Sequence, residues 1–208
     1  MKKLESSLQN MVLVLVLTAL VMSGILALVN HITEGPISQQ KEKSLADGIK
    51  AVMGGGELSV TANDTISADM DKDGKEDTFI IHKAAAADGK ELGAAVESTT
   101  QGFGGDFKIL VGFDADGTIL GYTILETTET PGLGAKADTW FQKGQKGDII
   151  GKSPKQELAV KKDGGEVDAI TASTITSKAF LKAVNQAYMA YTKGAADAKT
   201  EATKLNKQ

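Results

Sequence analysis

The chain has 208 residues, 41% hydrophobic and 24% charged, with a formal net charge of −4, which is room for one domain and something more. It contains no Cys, so disulfides, thiolate nucleophiles and iron–sulfur ligation are excluded, and its acidic balance carries no footprint of a nucleic-acid partner. Its basic residues are all Lys; any phosphate must be held by backbone N–H groups, hydroxyls, Lys or a covalent bond, without a guanidinium fork.

Residues 1–10 form a short polar start. The stretch 11–29, MVLVLVLTALVMSGILALV, carries no charge, and as a helix it spans roughly the hydrocarbon core of a bilayer. A retained transmembrane helix in the lipid bilayer is expected. The rival is a cleaved signal peptide, whose apolar region is usually shorter and ends in small residues. A lipoprotein anchor needs a Cys and is excluded. Lys2 and Lys3 precede the span and the first Lys after it is Lys41. The positive-inside rule therefore places the N-terminus in the cytoplasm and the remainder outside it.

Residues 30–56 read as a juxtamembrane helix. Pro36 suits a first helical position, Ile37, Leu45, Ile49 and Val52 fall on one side, and Gly54 to Gly56 end the run. The first helix either continues into this one with a kink at Gly35-Pro36 or stops there. Residues 57–195 form the predicted extracytoplasmic domain. DTFIIHK, ELGAAVES, FKILVGF and TILGYTILE read as strands, with a hairpin at Asp116-Gly117. Residues 126–156 are a long loop region with one helical turn at ADTWFQ, of a length that is usually functional. ELAVKK and EVDAI read as two short strands. The last helix begins near Thr176, with Ala179, Phe180, Ala183, Val184, Ala187, Tyr188 and Tyr191 as its apolar stripe, and residues 196–208 form a polar tail. The expected class is α+β: a mostly antiparallel sheet with a C-terminal helix packed on one face.

Three stretches are candidates for chemistry. Asp69, Asp71, Asp73 and Gly74 match the start of a calcium loop, but the position that needs a bidentate Glu is Ile80, so a solvated turn is expected. His31 and His82 have no partner at metal-ligand spacing and are read as structural. ETPGLGAK (129–136) combines a fixed φ at Pro131 with two glycines that allow backbone to approach a ligand closely; Trp140 follows it. VDAITASTITSKAF (167–180) concentrates Thr171, Ser173, Thr174, Thr176 and Ser177 at a helix entrance. One such hydroxyl is explained as a cap. The others suit an anion facing helix N-terminal N–H groups.

NHITEGPI after the span, GFGGDFKILVGFDADGTILGYTILETTETPGLGAK, and DAITASTITSKAF occur in an order and spacing that resemble the G subunit of the Rnf electron-transport complex. The flavin domain of that family is shared with the C subunit of the sodium-pumping NADH:quinone oxidoreductase. The resemblance covers nearly the whole chain. The family's flavinylation motif, Asp-x-x-Ser/Thr-Gly-Ala-Thr, falls on Asp168, Thr171, Ala172, Ser173 and Thr174, with Ala172 in place of Gly and Ser173 in place of Ala. The resemblance implies that Thr174 carries FMN covalently through a phosphoester, beside Ile175 and Thr176. A separate flavin transferase using FAD and a divalent metal is implied, because a Thr hydroxyl is unreactive alone. Glu129, Thr130, Gly132, Leu133, Gly134, Lys136 and Trp140 are expected near the flavin, with no catalytic acid or base and no metal ligand. The implied role is an electron relay in a single-pass inner-membrane protein of a ferredoxin:NAD-type, ion-translocating complex, partnered by that complex's other membrane subunits. The alternatives are an FMN subunit of another respiratory assembly and an anchored binding module with no redox role.

Overall fold

The computed structural model describes residues 8–55, 58–70, 74, 76–86 and 89–205, with side chains as far as residue 195. Helix α1 runs over Leu8–Val52 with Pro36 inside it. The segments expected on either side of Gly35-Pro36 are thus one helix; Pro36 removes a single N–H from the ladder. Residues 11–44 are exposed throughout, and the helix is long and apolar enough to cross a membrane. The chain divides into two compact units between Ser44 and Leu45.

In the second unit, strands β1 (Leu58–Ala68), β2 (Asp77–Ala86), β3 (Glu91–Gln101), β4 (Asp106–Asp114) and β5 (Ile119–Thr127) form an antiparallel meander in sequence order. Gly117, φ 79°, makes the β4–β5 turn as the Asp-Gly pair predicts. The four-residue helix α2 covers Ala137–Trp140, and α3 covers Thr174–Leu205. The α+β expectation is met.

Alternation along β4 assigns the two faces of the sheet. Phe107, Ile109, Val111 and Phe113 lie in the larger core with Phe79 and Ile81 of β2 and Phe180, Val184 and Ala187 of α3. Phe180 stacks on Phe141, with ring centroids 4.2 Å apart. Leu110 faces the other way, into a smaller core with Ile49, Val52, Met53, Ala84 and Ala95. The last turns of α1 are seated there by small residues. Gly112 and Gly121 are direct partners on β4 and β5, and a Cβ on Gly112 would meet the backbone carbonyl of Val52.

The same face holds a buried polar row. His82 Nε2 lies 2.7 Å from Glu97 Oε1 and its Nδ1 2.8 Å from Asn63 Oδ1. Lys108 Nζ lies 2.6 Å from Glu97 Oε2. Burial alone would raise the Glu97 carboxyl, but the hydrogen bonds from His82 and Lys108, with their charge, hold it below its ordinary value. His82 is therefore structural, as expected.

Three boundaries differ from the sequence reading. ELAVKK and EVDAI form no strands: one parallel bridge, Val160 to Val167, joins them. A 3-10 turn at Lys161–Asp163 and left-handed Gly164 interrupt the extended backbone on the near side of the bridge, so no ladder grows. Helix α3 starts at Thr174, because Ser173 O already accepts from Ser177 N at 3.0 Å. Its backbone continues through most of the expected tail, to Leu205. Of the calcium-like stretch, Asp71 and Asp73 lie outside the described residues, while Asp69 Oδ2 accepts from Gly74 N at 2.9 Å and closes a turn.

Two expectations follow for the detergent-solubilised full chain. Gly112→Ala forces Val52 away from the sheet, and overpacking of this kind costs about 1–3 kcal/mol, read as a lower thermal midpoint. For Glu97, the depressed carboxyl contributes stability above its unfolded pKa that is lost as pH falls through the folded one. The thermal midpoint should therefore drop below about pH 4, and Glu97→Gln should flatten that part of the profile while lowering the midpoint at neutral pH.

Candidate functional site

The entrance to α3 is built by a loop strapped down at several points. Trp140 Nε1 donates to Asp168 O at 2.8 Å, and Lys161 Nζ pairs with Asp168 Oδ2 at 2.8 Å. Ile170 N donates to Ser177 Oγ at 2.9 Å, and Ser177 Oγ donates to Ser173 O at 2.9 Å. Ser177 thus serves the loop and the first turn together. Ala172 sits between these straps at φ 61°, in the left-handed region where a Cβ is disfavoured. It is the non-Gly residue with positive φ among the described residues. That conformation lets the chain leave Ile170 and turn directly into the helix at Thr174.

The second wall comes from residues after β5. Glu129 is buried, with 7% of its surface exposed, and its two oxygens are committed in different directions. Oε1 accepts from Phe103 N at 2.6 Å and Gly104 N at 3.1 Å; Oε2 accepts from the Thr176 hydroxyl at 2.8 Å. Pro131 and Gly132, the latter at φ 79°, then turn the chain so that Gly134 packs against Glu129 and Thr176. A Cβ at Gly134 would occupy the space of both side chains.

Between the two walls lies a cavity of about 410 Å³, lined by Phe103, Glu129, Thr130, Leu133, Gly134 and residues 172–176. Of the predicted site residues, it brings together Glu129, Thr130, Leu133, Gly134, Ala172, Ser173, Thr174, Ile175 and Thr176. Gly132 and exposed Lys136 are not on its lining, nor is exposed Thr171. Asp168 and Trp140 are also off the lining and engage each other and Lys161 instead. Phe103 is the lining residue that the sequence reading did not single out, although its Gly-Phe-Gly-Gly setting was a signal for it.

The chemistry of the lining suits a flavin nucleotide in two respects. Half-buried Thr174 offers its hydroxyl at the first residue of α3, where helix N–H groups favour an anion. Leu133, Ile175 and Phe103 supply apolar surface for a planar ring. Among the described residues on the lining there is no Lys or His, and no group of metal-ligating side chains occurs among the described residues.

Comparison with known proteins agrees with this geometry. Residues 102–189 match the FMN-binding domain family, and residues 1–52 match the RnfG N-terminal region. The chain is 35% identical to the G subunit of the ion-translocating oxidoreductase complex of Shewanella baltica, covering 83% of this chain and 84% of that one. It is 34% identical to the protein of the same name in Shewanella oneidensis, covering 89% and 90%. It is 33% identical to the G subunit of the Na(+)-translocating ferredoxin:NAD(+) oxidoreductase complex of Acetobacterium woodii, covering 86% and 89%. With family matches over residues 1–52 and 102–189 and relatives above 30% identity along most of its length, the chain belongs to the family of G subunits of ion-translocating oxidoreductase complexes and carries that family's FMN-binding domain.

Proposed function

We propose that the protein is the electron-relay subunit of a ferredoxin:NAD-type, ion-translocating membrane complex, and that its FMN is joined covalently to Thr174. The observation that carries this reading is the place of Thr174: at the cavity, on the first residue of α3, with the 129–134 loop opposite. FMN supplies the redox chemistry when bound. The chain's own residues attach, orient and shield it.

Covalency is favoured by the electrostatics of the site. Among the described residues, Glu129 is the one charged group on the lining, so a free phosphate finds helix N–H groups and hydroxyls but no cation there. Attachment gives what charge pairing does not. In the attachment step, Thr174 Oγ forms a bond to the FMN phosphorus of FAD, the pyrophosphate bond breaks, AMP leaves, and the hydroxyl proton passes to a base of the transferase. The phosphodiester retains one negative charge, which the N-terminal end of α3 stabilises. Asp168 is a positioning residue in this reading: tied to Lys161 and to Trp140, it fixes the loop that presents Thr174.

The exposed apolar length of α1 supports a single span, and Lys2 and Lys3 before it, with no Lys after it until Lys41, favour a cytoplasmic N-terminus and a flavin domain on the far side of the membrane. Such a span offers few polar groups for an ion path. Ion movement is assigned to partner subunits, and this chain to electron transfer between them.

The intact mass of the protein made with a competent transferase should exceed the sequence mass by one FMN less water. Its denatured band should also fluoresce under ultraviolet light. Thr174→Ala should remove both signals and change stability by no more than about 0.5 kcal/mol, since the hydrogen bonds that strap the loop and the first turn run through Ser177 and Thr176 and not through Thr174. An increment that persists moves the acceptor to Ser173 or Thr171; a wild-type protein without one sinks the covalent reading. Ala172→Gly should stabilise the chain. Relief of left-handed strain, about 1–2 kcal/mol, exceeds the entropy lost with the methyl group, about 0.4–1 kcal/mol. The thermal midpoint should rise by a few degrees.

A further inference from the structure

Five of the chain's six Phe residues, at 79, 107, 113, 141 and 180, are fully buried, while Phe103 is 70% exposed. It makes none of the aromatic contacts of the core. A lone exposed apolar residue needs no explanation, but this one is neither isolated nor loosely held. Leu133, 44% exposed, and Ile175, 58% exposed, stand with it on the lining of the same cavity.

The loop that carries it is built for close approach. Gly102 to Gly105 join β3 to β4, closed by Gly102 N donating to Gly105 O at 2.8 Å. A Cβ on Gly102 would strike the Glu129 carboxylate, and one on Gly104 would strike Thr128 O. Phe103 is therefore the one side chain the turn presents. Its own N–H is fixed by Glu129 Oε1 at 2.6 Å, and the other oxygen of the same carboxylate is fixed to Thr176 on α3. The backbone of Phe103 is thus indexed to the helix that bears Thr174, two residues from the acceptor.

We propose that Phe103 is the ring-contact residue of the site: its aromatic face stacks on the isoalloxazine of the flavin, and Glu129 is the positioning residue that sets where that face stands. This rests on the flavin reading above but not on covalent attachment. The ring is tricyclic, planar and largely apolar, which is the chemistry that an exposed aromatic beside Leu133 and Ile175 recognises.

Riboflavin, which has the ring without the phosphate, is the probe, titrated against the full chain made without a transferase. Phe103→Ala should weaken riboflavin binding about tenfold, the size of one aromatic stack by alanine substitution, and Phe103→Leu should not restore it. Phe103→Trp should retain binding and quench flavin emission strongly. Trp140 is present in every variant and cannot account for the difference. The same quenching should appear in flavin attached to Phe103→Trp protein, with its mass increment unchanged. Emission and affinity unaltered across the three variants would overturn the stacking proposal and leave Phe103 to a protein partner. Quenching of riboflavin, together with no mass increment in protein made with a competent transferase, would overturn covalent attachment alone. Glu129→Gln should weaken the quenching in the Phe103→Trp background, because one carboxylate no longer fixes both the loop and the helix; unchanged quenching there would remove the positioning role.

Discussion

A single buried carboxylate holds the site together. Glu129 accepts from two amides of the β3–β4 turn and from the Thr176 hydroxyl of α3, so three segments far apart in sequence meet on one pair of oxygens. The turn belongs to the sheet, Glu129 to the segment leaving it, and Thr176 to the helix laid across it. A carboxyl group is tolerated under that degree of burial only when its oxygens are satisfied. Its hydrogen bonds are therefore a constraint on geometry as much as a source of stability. The glycines around it follow from the same requirement: Gly102 and Gly134 each stand where a Cβ would enter the carboxylate's space.

Much of the fold could be read in advance because its signals are local. Strands β2 to β5 alternate or run apolar, and Asp116-Gly117 marks the turn between the last two. β1 is absent from the strands the sequence singles out: Leu58–Ala68 is an edge strand with exposed or half-buried residues, so its pattern carries little contrast. The region 157–170 misled for a different reason. Val160 and Val167 are apolar and buried, which looks like strand sequence, but the 3-10 turn and Gly164 between them break the extended backbone and only one parallel bridge forms. Burial under a loop and burial in a ladder leave similar residues.

At the site, motif and geometry separate the predicted residues. The hydroxyl-bearing residues divide their labour: Ser177 ties the loop, Thr176 ties Glu129, Ser173 starts the helix through its backbone carbonyl, and Thr174 lines the cavity. Residue type alone could not assign these roles, since any of them can cap a helix. Asp168 and Trp140 were expected beside the ligand and instead brace the loop from behind. Phe103 was overlooked because its importance depends on an exposure that only the folded chain reveals. Ala172 is the reverse case, where the family pattern asks for Gly and the backbone adopts the left-handed conformation with Ala in place. The fold holds that conformation because the straps at Ile170 and Ser173 determine the path on either side.

Strand β4 connects this site to the rest of the second unit. Its residues 107, 109, 111 and 113 support α3, while Leu110 and Gly112 seat the final turns of α1 from Leu45 onward. Lys108, on that second face, closes the buried row with Glu97 and His82. The strand before it in the meander ends in the turn that presents Phe103. The end of α1 and the entrance of α3 are thus referenced to opposite faces of the same few residues, with Val52 packed directly on the sheet. For an electron-transfer subunit that carries an FMN-binding domain, this common reference bears directly on function. Electron transfer through a flavin depends on where its ring stands. That place is set by the walls of the cavity, which stand on a sheet packed on both faces.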